Sequence, residues 1–185
     1  MADSMSRVTS SALVSRMIRA SRLDSDLYEE VEADRDATSQ AAIVVAIVAI
    51  CGAVGGALAI AIFGAAGNPF GAIISNLISA FVGWVVWAYL TYFIGTRLFG
   101  GTATPGELLR TVGFAQSPGA LLLFTFIPVI GWLMAPVVAI WAIVAGVIAV
   151  RQALDFDTSK AVITVLIAFV PYIILRVILA MIFGA

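Results

Sequence analysis

The chain has 185 residues, of which 62% are hydrophobic and 11% are charged, and its mean hydropathy is +1.10. Soluble domains carry about 45–50% apolar and about 25% charged residues, so a soluble chain of this length could not bury so much apolar surface and lipid must cover it. The net charge of −1 argues against a nucleic-acid partner, and the absence of histidine removes the commonest general base and metal ligand, so we expect no metal and no cofactor.

The first predicted element is a basic amphipathic helix over Ser11–Arg22. Its apolar side is formed at helical spacing by Leu13, Val14, Met17 and Ile18. Its other side is formed by Arg16, Arg19 and Arg22. A helix of this kind lies in the cytoplasmic interface, where anionic lipid attracts its cations. We therefore expect these three arginines to bind the membrane surface. The alternative is that the helix packs on the protein's own cytoplasmic loops.

An acidic run follows between Asp24 and Asp36, and it contains seven carboxylates. Leu27 and Val31 are four residues apart and share a face, which predicts a second short helix capped by Ser25 or Asp26. The acidic side chains form either a docking surface for a basic partner or a solvated face.

The first membrane segment is predicted over Ala41–Ala66, with Thr38 or Ser39 as its N-cap. Alanines recur every four residues between positions 49 and 65, and glycines form an adjoining stripe. Small residues at this spacing let a neighbouring helix approach closely in lipid. We expect the following positions to pack against another helix of the same chain, with homodimerisation as the alternative: Gly52, Ala53, Gly56 and Ala57.

The second segment, Phe70–Phe93, follows an outer turn at Asn68-Pro69. A capping pattern at Thr104, Pro105 and Glu107 then predicts a short helix along the cytoplasmic face.

The third segment, Val112–Ile130, is interrupted at Gln116–Gly119, because proline removes a backbone hydrogen bond and glycine loosens the helix. Such a break marks either a transport site or a kink that shapes packing.

The fourth segment is predicted over Leu133–Val150 and the fifth over Ala161–Phe183, with Thr158 or Ser159 as the N-cap of the fifth. No strand pattern appears. The predicted fold class is therefore an all-α membrane protein, a bundle of five transmembrane helices preceded by short cytoplasmic or interfacial helices. Residues 1–37 would form the N-terminal region and residues 38–185 the transmembrane domain.

The distribution of cations predicts the topology of this bundle. Nine of the ten Lys and Arg residues lie on one side if all five segments cross. They are Arg7, Arg16, Arg19, Arg22, Arg35, Arg97, Arg110, Arg151 and Lys160. Because loop cations concentrate on the cytoplasmic side, we expect a cytoplasmic N-terminus and an external C-terminus in an inner or plasma membrane.

Polar residues inside the apolar segments are candidates for an intramembrane site. The strongest are Asn76, Gln116, Ser117 and Arg176. Arg176 has three interpretations: its side chain extends outward to lipid phosphates, bonds to Asn76, or contacts an anion or substrate in a cavity. No phosphate-binding glycine loop, serine elbow or metal-spaced cluster is present, which argues against an enzyme.

Three stretches resemble the prokaryotic Yip1-domain membrane proteins. They are LYEEVEADRDATSQAAIVV (27–45), GELLRTVGFAQSPGALL (106–122) and the run from IPVIGWL to IWAIVAGVIAVRQALDFDTSKA (127–161). The resemblance implies five membrane helices and a cytoplasmic N-terminus. Eukaryotic members are implicated in vesicle traffic and Rab binding, but their acidic Asp-Leu-x-Gly-Pro motif is absent, so that activity is not carried over.

The function expected from these observations is that of a non-enzymatic scaffold or organiser. It would bind membrane lipids, and a protein partner or a second copy, at the cytoplasmic face. The alternative is a small transporter or channel with a path near the break in the third segment.

Overall fold

The computed structural model describes residues 2–63 and 69–183. In these ranges the chain forms seven α-helices and one 3₁₀ helix, with no strand, which confirms the predicted all-α class. The α-helices are α1 (Ala2–Ser21), α2 (Ser25–Ala33), α3 (Ala37–Phe63), α4 (Pro69–Phe99), α5 (Pro105–Ala115), α6 (Ile130–Ala153) and α7 (Thr158–Phe183). The 3₁₀ helix, Ser117–Phe126, lies between α5 and α6. We call α1 and α2 together the headpiece.

Four helices of the described chain are long and apolar enough to cross a membrane. They lie in α3, α4, α6 and α7, and the mean hydropathy of their most apolar windows ranges from 1.8 to 2.7. Only 22–39% of each window is buried inside the protein, so most of this apolar surface faces outward. The chain is therefore an integral, multi-pass membrane protein. The predicted outer turn at Asn68, and the end of the first segment beyond Phe63, lie outside the described residues.

The predicted third segment has a different form from the other four. Its first half belongs to α5, and α5 also includes the short helix that was expected along the cytoplasmic face. The helix ends before Gln116, and the chain continues as a 3₁₀ helix with Pro118 in its first turn. The predicted break is therefore confirmed. A 3₁₀ helix of 10 residues is unusual, since runs longer than about 3–4 residues are uncommon.

The broken segment runs alongside α3 in the same direction. Gly113 of α5 lies against Ala41, and Gly119 of the 3₁₀ helix lies against Val48. Further along, Gly55 of α3 lies against the backbone of Leu122. The contacts cover α3 from position 41 to position 55, which is about 21 Å of helix at about 1.5 Å per residue. The broken segment therefore follows α3 over most of the thickness of a bilayer core, which is about 30 Å.

A strained turn joins the 3₁₀ helix to α6. Val129 has φ 66° and ψ −54°, and the Ile130 amide donates to the Pro128 carbonyl oxygen at 2.7 Å. This is a γ-turn in a backbone conformation that a β-branched residue rarely adopts. Two residues after Val129, Gly131 lies so close to the backbone of Thr125 that no side chain fits there. The chain therefore reverses sharply and returns along the bundle as α6.

Aspartates cap two helices just before the predicted positions, so both predicted caps were wrong. Asp24 accepts a hydrogen bond from the Asp26 amide at the start of α2 at 3.1 Å. At the start of α7, the Lys160 amide donates to Asp157 at 3.0 Å. The first membrane helix, α3, also begins earlier than predicted, at Ala37. Ser, Thr and Asp are all good caps, so neighbouring candidates cannot be ranked by residue type alone.

Two tryptophans of α4 occupy the centre of the bundle with different hydrogen bonding. The Trp84 indole N–H donates to the Leu109 carbonyl oxygen of α5 at 2.9 Å. The Trp87 ring packs against Tyr172 of α7, with 5.8 Å between the ring centroids, and against Gly146 of α6. The Trp87 indole N–H is buried and has no partner in the described structure.

We expect Trp84→Phe to lower stability more than Trp87→Phe, by about 1 kcal/mol, which is the net contribution of one buried hydrogen bond. Both substitutions shrink the ring, so the difference between them isolates the indole N–H. The measurement is the midpoint for heat-induced loss of monodisperse protein in mild detergent. A Trp87→Phe variant that is the less stable of the two contradicts this assignment.

Candidate functional site

An ion-pair network joins α1 to the acidic run. Arg16 forms ion pairs with Glu30 at 2.8 Å and with Asp34 at 2.9 Å. Arg19 forms ion pairs with Asp24 at 2.7 Å and with Glu30 at 2.6 Å. The hydrogen bonds from Arg19 hold the pKa of Asp24 and that of Glu30 below their usual values. The arginines of α1 and the carboxylates in and beside α2 therefore neutralise each other.

Of the three arginines predicted to bind the membrane surface, two take part in this ion-pair network. Arg16 also donates to Gln40 in the first turns of α3, at 2.8 Å, so it joins α1 to both α2 and α3. Arg19 is likewise held by carboxylates, whereas Arg22 is exposed. Val14 and Ile18 are 53% and 48% exposed on the outer side of α1. The outward surface of α1 is thus an apolar pair with Arg22, rather than a row of three cations.

The second helix, α2, is packed into the bundle by its apolar face. Leu27, Tyr28 and Val31 are fully buried and belong to the same core as the membrane helices. Arg110 of α5 is only 7% exposed, and its Nε donates to the Val31 carbonyl oxygen at 2.9 Å. Its Nη2 donates to the Glu32 carbonyl oxygen. Arg110 therefore supplies donors to the carbonyls at the C-terminal end of α2, where a helix lacks its own.

An acidic cavity lies at the junction of α2, α5 and the end of α6. Its volume is about 480 Å³. It is lined by Glu29, Glu32, Ala33, Glu107, Arg151, Gln152, Asp155 and Phe156. Gln152 donates to Glu29 across the opening at 2.7 Å. Four of these residues are carboxylates, and the described residues hold no group of three or more His, Cys, Asp or Glu placed to bind a metal ion.

The electrostatics of the cavity act most strongly on Glu32. The pKa of Glu32 is raised to about 7, first by partial burial and then by the nearby charges of Glu107 and Asp155, which outweigh that of Arg110. Both causes favour the neutral acid. The cavity therefore places more carboxylates than cations at the point where α2 meets the bundle.

Two of the candidate intramembrane residues, Asn76 and Ser117, bond to backbone carbonyl oxygens. Asn76 of α4 donates to the Ala49 carbonyl oxygen of α3 at 2.8 Å, and Ser117 donates to Phe114 at 2.7 Å. Gln116 is half-buried at the end of α5. The side chain of Arg176 lies outside the described part of the structure. Ser117 thus bonds within its own turn, and Asn76 joins two membrane helices.

The packing stripe of α3 is centred on a residue that the sequence pattern did not select. Gly55 lies against the carbonyl oxygens of Leu122 and Leu123 in the 3₁₀ helix. Of the predicted positions, Gly52 lies against Asn76 and Leu122, Ala53 is 8% exposed, and Ala57 is half-buried. Gly56 has no described atom within 4 Å of the place where a Cβ would stand. The spacing of the small residues does not show which face of α3 packs against another helix, because small residues occur on both faces.

Arg110 and Glu32 were also absent from the predicted site residues. In the sequence, the cation pattern marks Arg110 only as a topology residue, and Glu32 is one of seven acids in a run that forms either a docking surface or a solvated face. One available signal was that Arg110 lies between Leu108 and Val112, which share an apolar face. That signal is weak, because a long cation beside an apolar face usually extends into solvent.

The Yip1 domain family matches residues 24–181 of the chain. The matched region begins at the cap of α2 and includes every helix from α2 onward. Comparisons with curated proteins and with solved structures gave no match. The family match covers most of the chain and agrees with its four membrane-length helices. The chain therefore belongs to the Yip1 domain family.

Proposed function

We propose that this Yip1 domain protein is a non-enzymatic scaffold or organiser of a cell membrane, and that its headpiece is the surface offered to lipid or protein partners. The observation that carries the proposal is the buried attachment of α2 through Leu27, Tyr28, Val31 and Arg110. A headpiece held in this way has a fixed position relative to the membrane helices. A surface held in a fixed position is what a membrane scaffold needs.

The proposed topology has five crossings, with the broken third segment as one of them. The parallel course of this segment along α3 supports a crossing, because its contacts extend over about 21 Å. The cation distribution then favours a cytoplasmic headpiece and an external C-terminus in the inner or plasma membrane. In this scheme residues 1–37 form the cytoplasmic region and residues 38–185 the membrane domain.

The surface proposed for lipid contact is the outer side of α1. Two bonds hold α1 next to membrane helices: Arg16 donates to Gln40 of α3, and Trp141 of α6 donates to the Ser21 carbonyl oxygen at 2.9 Å. The exposed Val14 and Ile18 then suit the boundary between head groups and acyl chains, and the exposed Arg22 suits a lipid phosphate.

The experiment places one fluorophore on α1 and measures its quenching by lipid. The protein with Cys51→Ala and Ile18→Cys is labelled and reconstituted into phosphatidylcholine nanodiscs with and without phosphatidylglycerol. We expect quenching by head-group-labelled lipid to be stronger with phosphatidylglycerol, and Arg22→Gln to remove that increase. The matched control carries Asp26→Cys on the exposed side of α2. Equal, weak quenching at positions 18 and 26 contradicts the lipid-facing surface.

The second candidate function is transport of a solute or ion. The observation that favours it is the interrupted third segment, since discontinuous membrane helices often bind solutes. The hydrogen bonds of Asn76 and Ser117 favour a structural role for two of the candidate site residues. A flux assay in proteoliposomes separates the two functions. Flux that collapses in Gln116→Ala or Arg176→Ala overturns the scaffold proposal.

A further inference from the structure

We infer that the docking of α2 on the bundle is controlled by proton binding in the acidic cavity, so that the headpiece is held more tightly at mildly acidic pH than at alkaline pH. This inference goes beyond the proposed scaffold role, and its test does not depend on any partner. The cavity, the contact between α2 and α5, and the charges that surround Glu32 carry it.

The geometry puts an acid at the edge of a packed interface. The residue before it, Val31, is fully buried, and the backbone of both residues is held by Arg110. The Glu32 side chain points into the cavity with the other lining residues. When α2 is docked, this side chain is therefore half-buried in the cavity beside α5.

The charges that face Glu32 come from every element packed around it. They are Glu29 of α2, Glu107 and Arg110 of α5, Arg151 of α6 and Asp155 of the loop that follows. The nearest cation, Arg110, already donates to backbone carbonyls of α2. The carboxylates therefore outnumber the cations, and ionised Glu32 is repelled from three directions while α2 is docked.

The direction of the effect follows from the two protonation states. Docking raises the pKa of Glu32 from the ordinary value of 4.5 to about 7, so the docked form binds a proton more tightly than the undocked form. Proton binding thus contributes fully to docking below about pH 4.5. The contribution decreases as pH rises and is lost once pH passes the docked pKa, near 7. Partial solvent exposure of Glu32 keeps the change in the undocked population on the order of tenfold.

Release of α2 would change what the headpiece presents. Leu27, Tyr28 and Val31 would leave the core, and their apolar face would become available to lipid or to a partner. The ion pairs of Arg16 and Arg19 with α2 would keep α1 associated with the released helix. A rise in pH through neutrality would therefore release α2 from α5, while α1 stays bonded to α3 and α6 and the membrane helices remain in place.

The test is hydrogen exchange of α2 in the full-length protein in nanodiscs, read by mass spectrometry at about pH 5.5 and about pH 8. At each pH the wild type is compared with Glu32→Gln. The ratio of their exchange rates removes the intrinsic pH dependence of amide exchange. The difference in protection between wild type and variant should be smaller at the lower pH, where Glu32 is mostly protonated while α2 is docked. At the higher pH, wild-type α2 should exchange on the order of tenfold faster than the variant.

Two further variants make the result specific. Asp26→Asn removes a carboxylate from the exposed side of α2 and should keep the wild-type pH dependence. Asp155→Asn removes a carboxylate from the cavity, and asparagine tolerates the φ of 53° at this position. It should move the midpoint of the transition to lower pH, even if Glu32→Gln does not fold. Exchange of α2 that has the same pH dependence in wild type, Glu32→Gln and Asp155→Asn overturns the inference.

Discussion

Gly55→Ala is expected to lower the stability of the folded protein by about 1–3 kcal/mol, the usual range for an added methyl group in a packed interior. A Cβ at position 55 would stand 2.6 Å from Thr125 Oγ1 and 2.9 Å from the Leu123 carbonyl oxygen, and it would overlap the Leu122 carbonyl oxygen. Two of these atoms belong to the backbone of the 3₁₀ helix. Neither can rotate away, so the two segments must separate.

The neighbouring glycine provides the control for this variant. Gly56→Ala adds the same methyl group one residue later, where no described atom lies within 4 Å of it. Alanine favours a helix over glycine by about 1 kcal/mol, so this variant should be neutral or slightly more stable. The measurement is the midpoint of heat-induced loss of monodisperse protein in detergent. Equal midpoints for the two variants contradict the close contact between α3 and the 3₁₀ helix.

A low midpoint for Gly56→Ala has a separate meaning. The sequence pattern includes Gly56 in a stripe that could also pack against a second copy of the chain. Light scattering measures the oligomeric state. If it shows that Gly56→Ala converts a dimer to a monomer, the result supports a second copy of the chain as a partner. If both variants remain in the same oligomeric state, the stability difference reports the fold alone.

Arg110→Met is expected to cost about 2–3 kcal/mol and to release α2. Methionine fills much of the space of the arginine stem but cannot donate to the carbonyl oxygens of Val31 and Glu32. Hydrogen bonds from charged donors contribute about 1.5–3 kcal/mol, and acceptors left without a partner in a buried site add to the cost. The measurement is hydrogen exchange of α2, which should rise, together with the thermal midpoint, which should fall.

Arg97→Met is the matched control for Arg110→Met. Arg97 lies in the last turn of α4 and is exposed. Both variants remove one cation from the same side of the predicted topology, so they weaken the positive-inside signal equally. Arg97→Met should leave the exchange of α2 unchanged. If α2 exchanges equally fast in both variants, Arg110 acts through charge or topology rather than through its bonds to α2.

Local patterns in the sequence predicted several features that the structure contains. The capping box of Thr104 and Glu107 is present, with a hydrogen bond of 2.8 Å from the Thr104 amide to Glu107. The break at Gln116 is present because a proline two residues later cannot donate to a regular helix. Signals of this kind need only neighbouring residues. The predicted caps of α2 and α7 failed for the same reason, since an aspartate just upstream offered an equally good oxygen.

The sequence by itself determined that this protein is an all-helical membrane protein of the Yip1 domain family, because hydropathy, helix length and turn chemistry act along the chain. Only the tertiary structure decided what its charges do. Arg110 and Val31 are 79 positions apart, and Arg16 and Asp34 are 18 positions apart. Whether such residues meet depends on the rotation and tilt of whole helices. Apolar side chains cover all sides of a membrane helix. The rotation and tilt therefore follow from packing between helices, and no local sequence pattern encodes them.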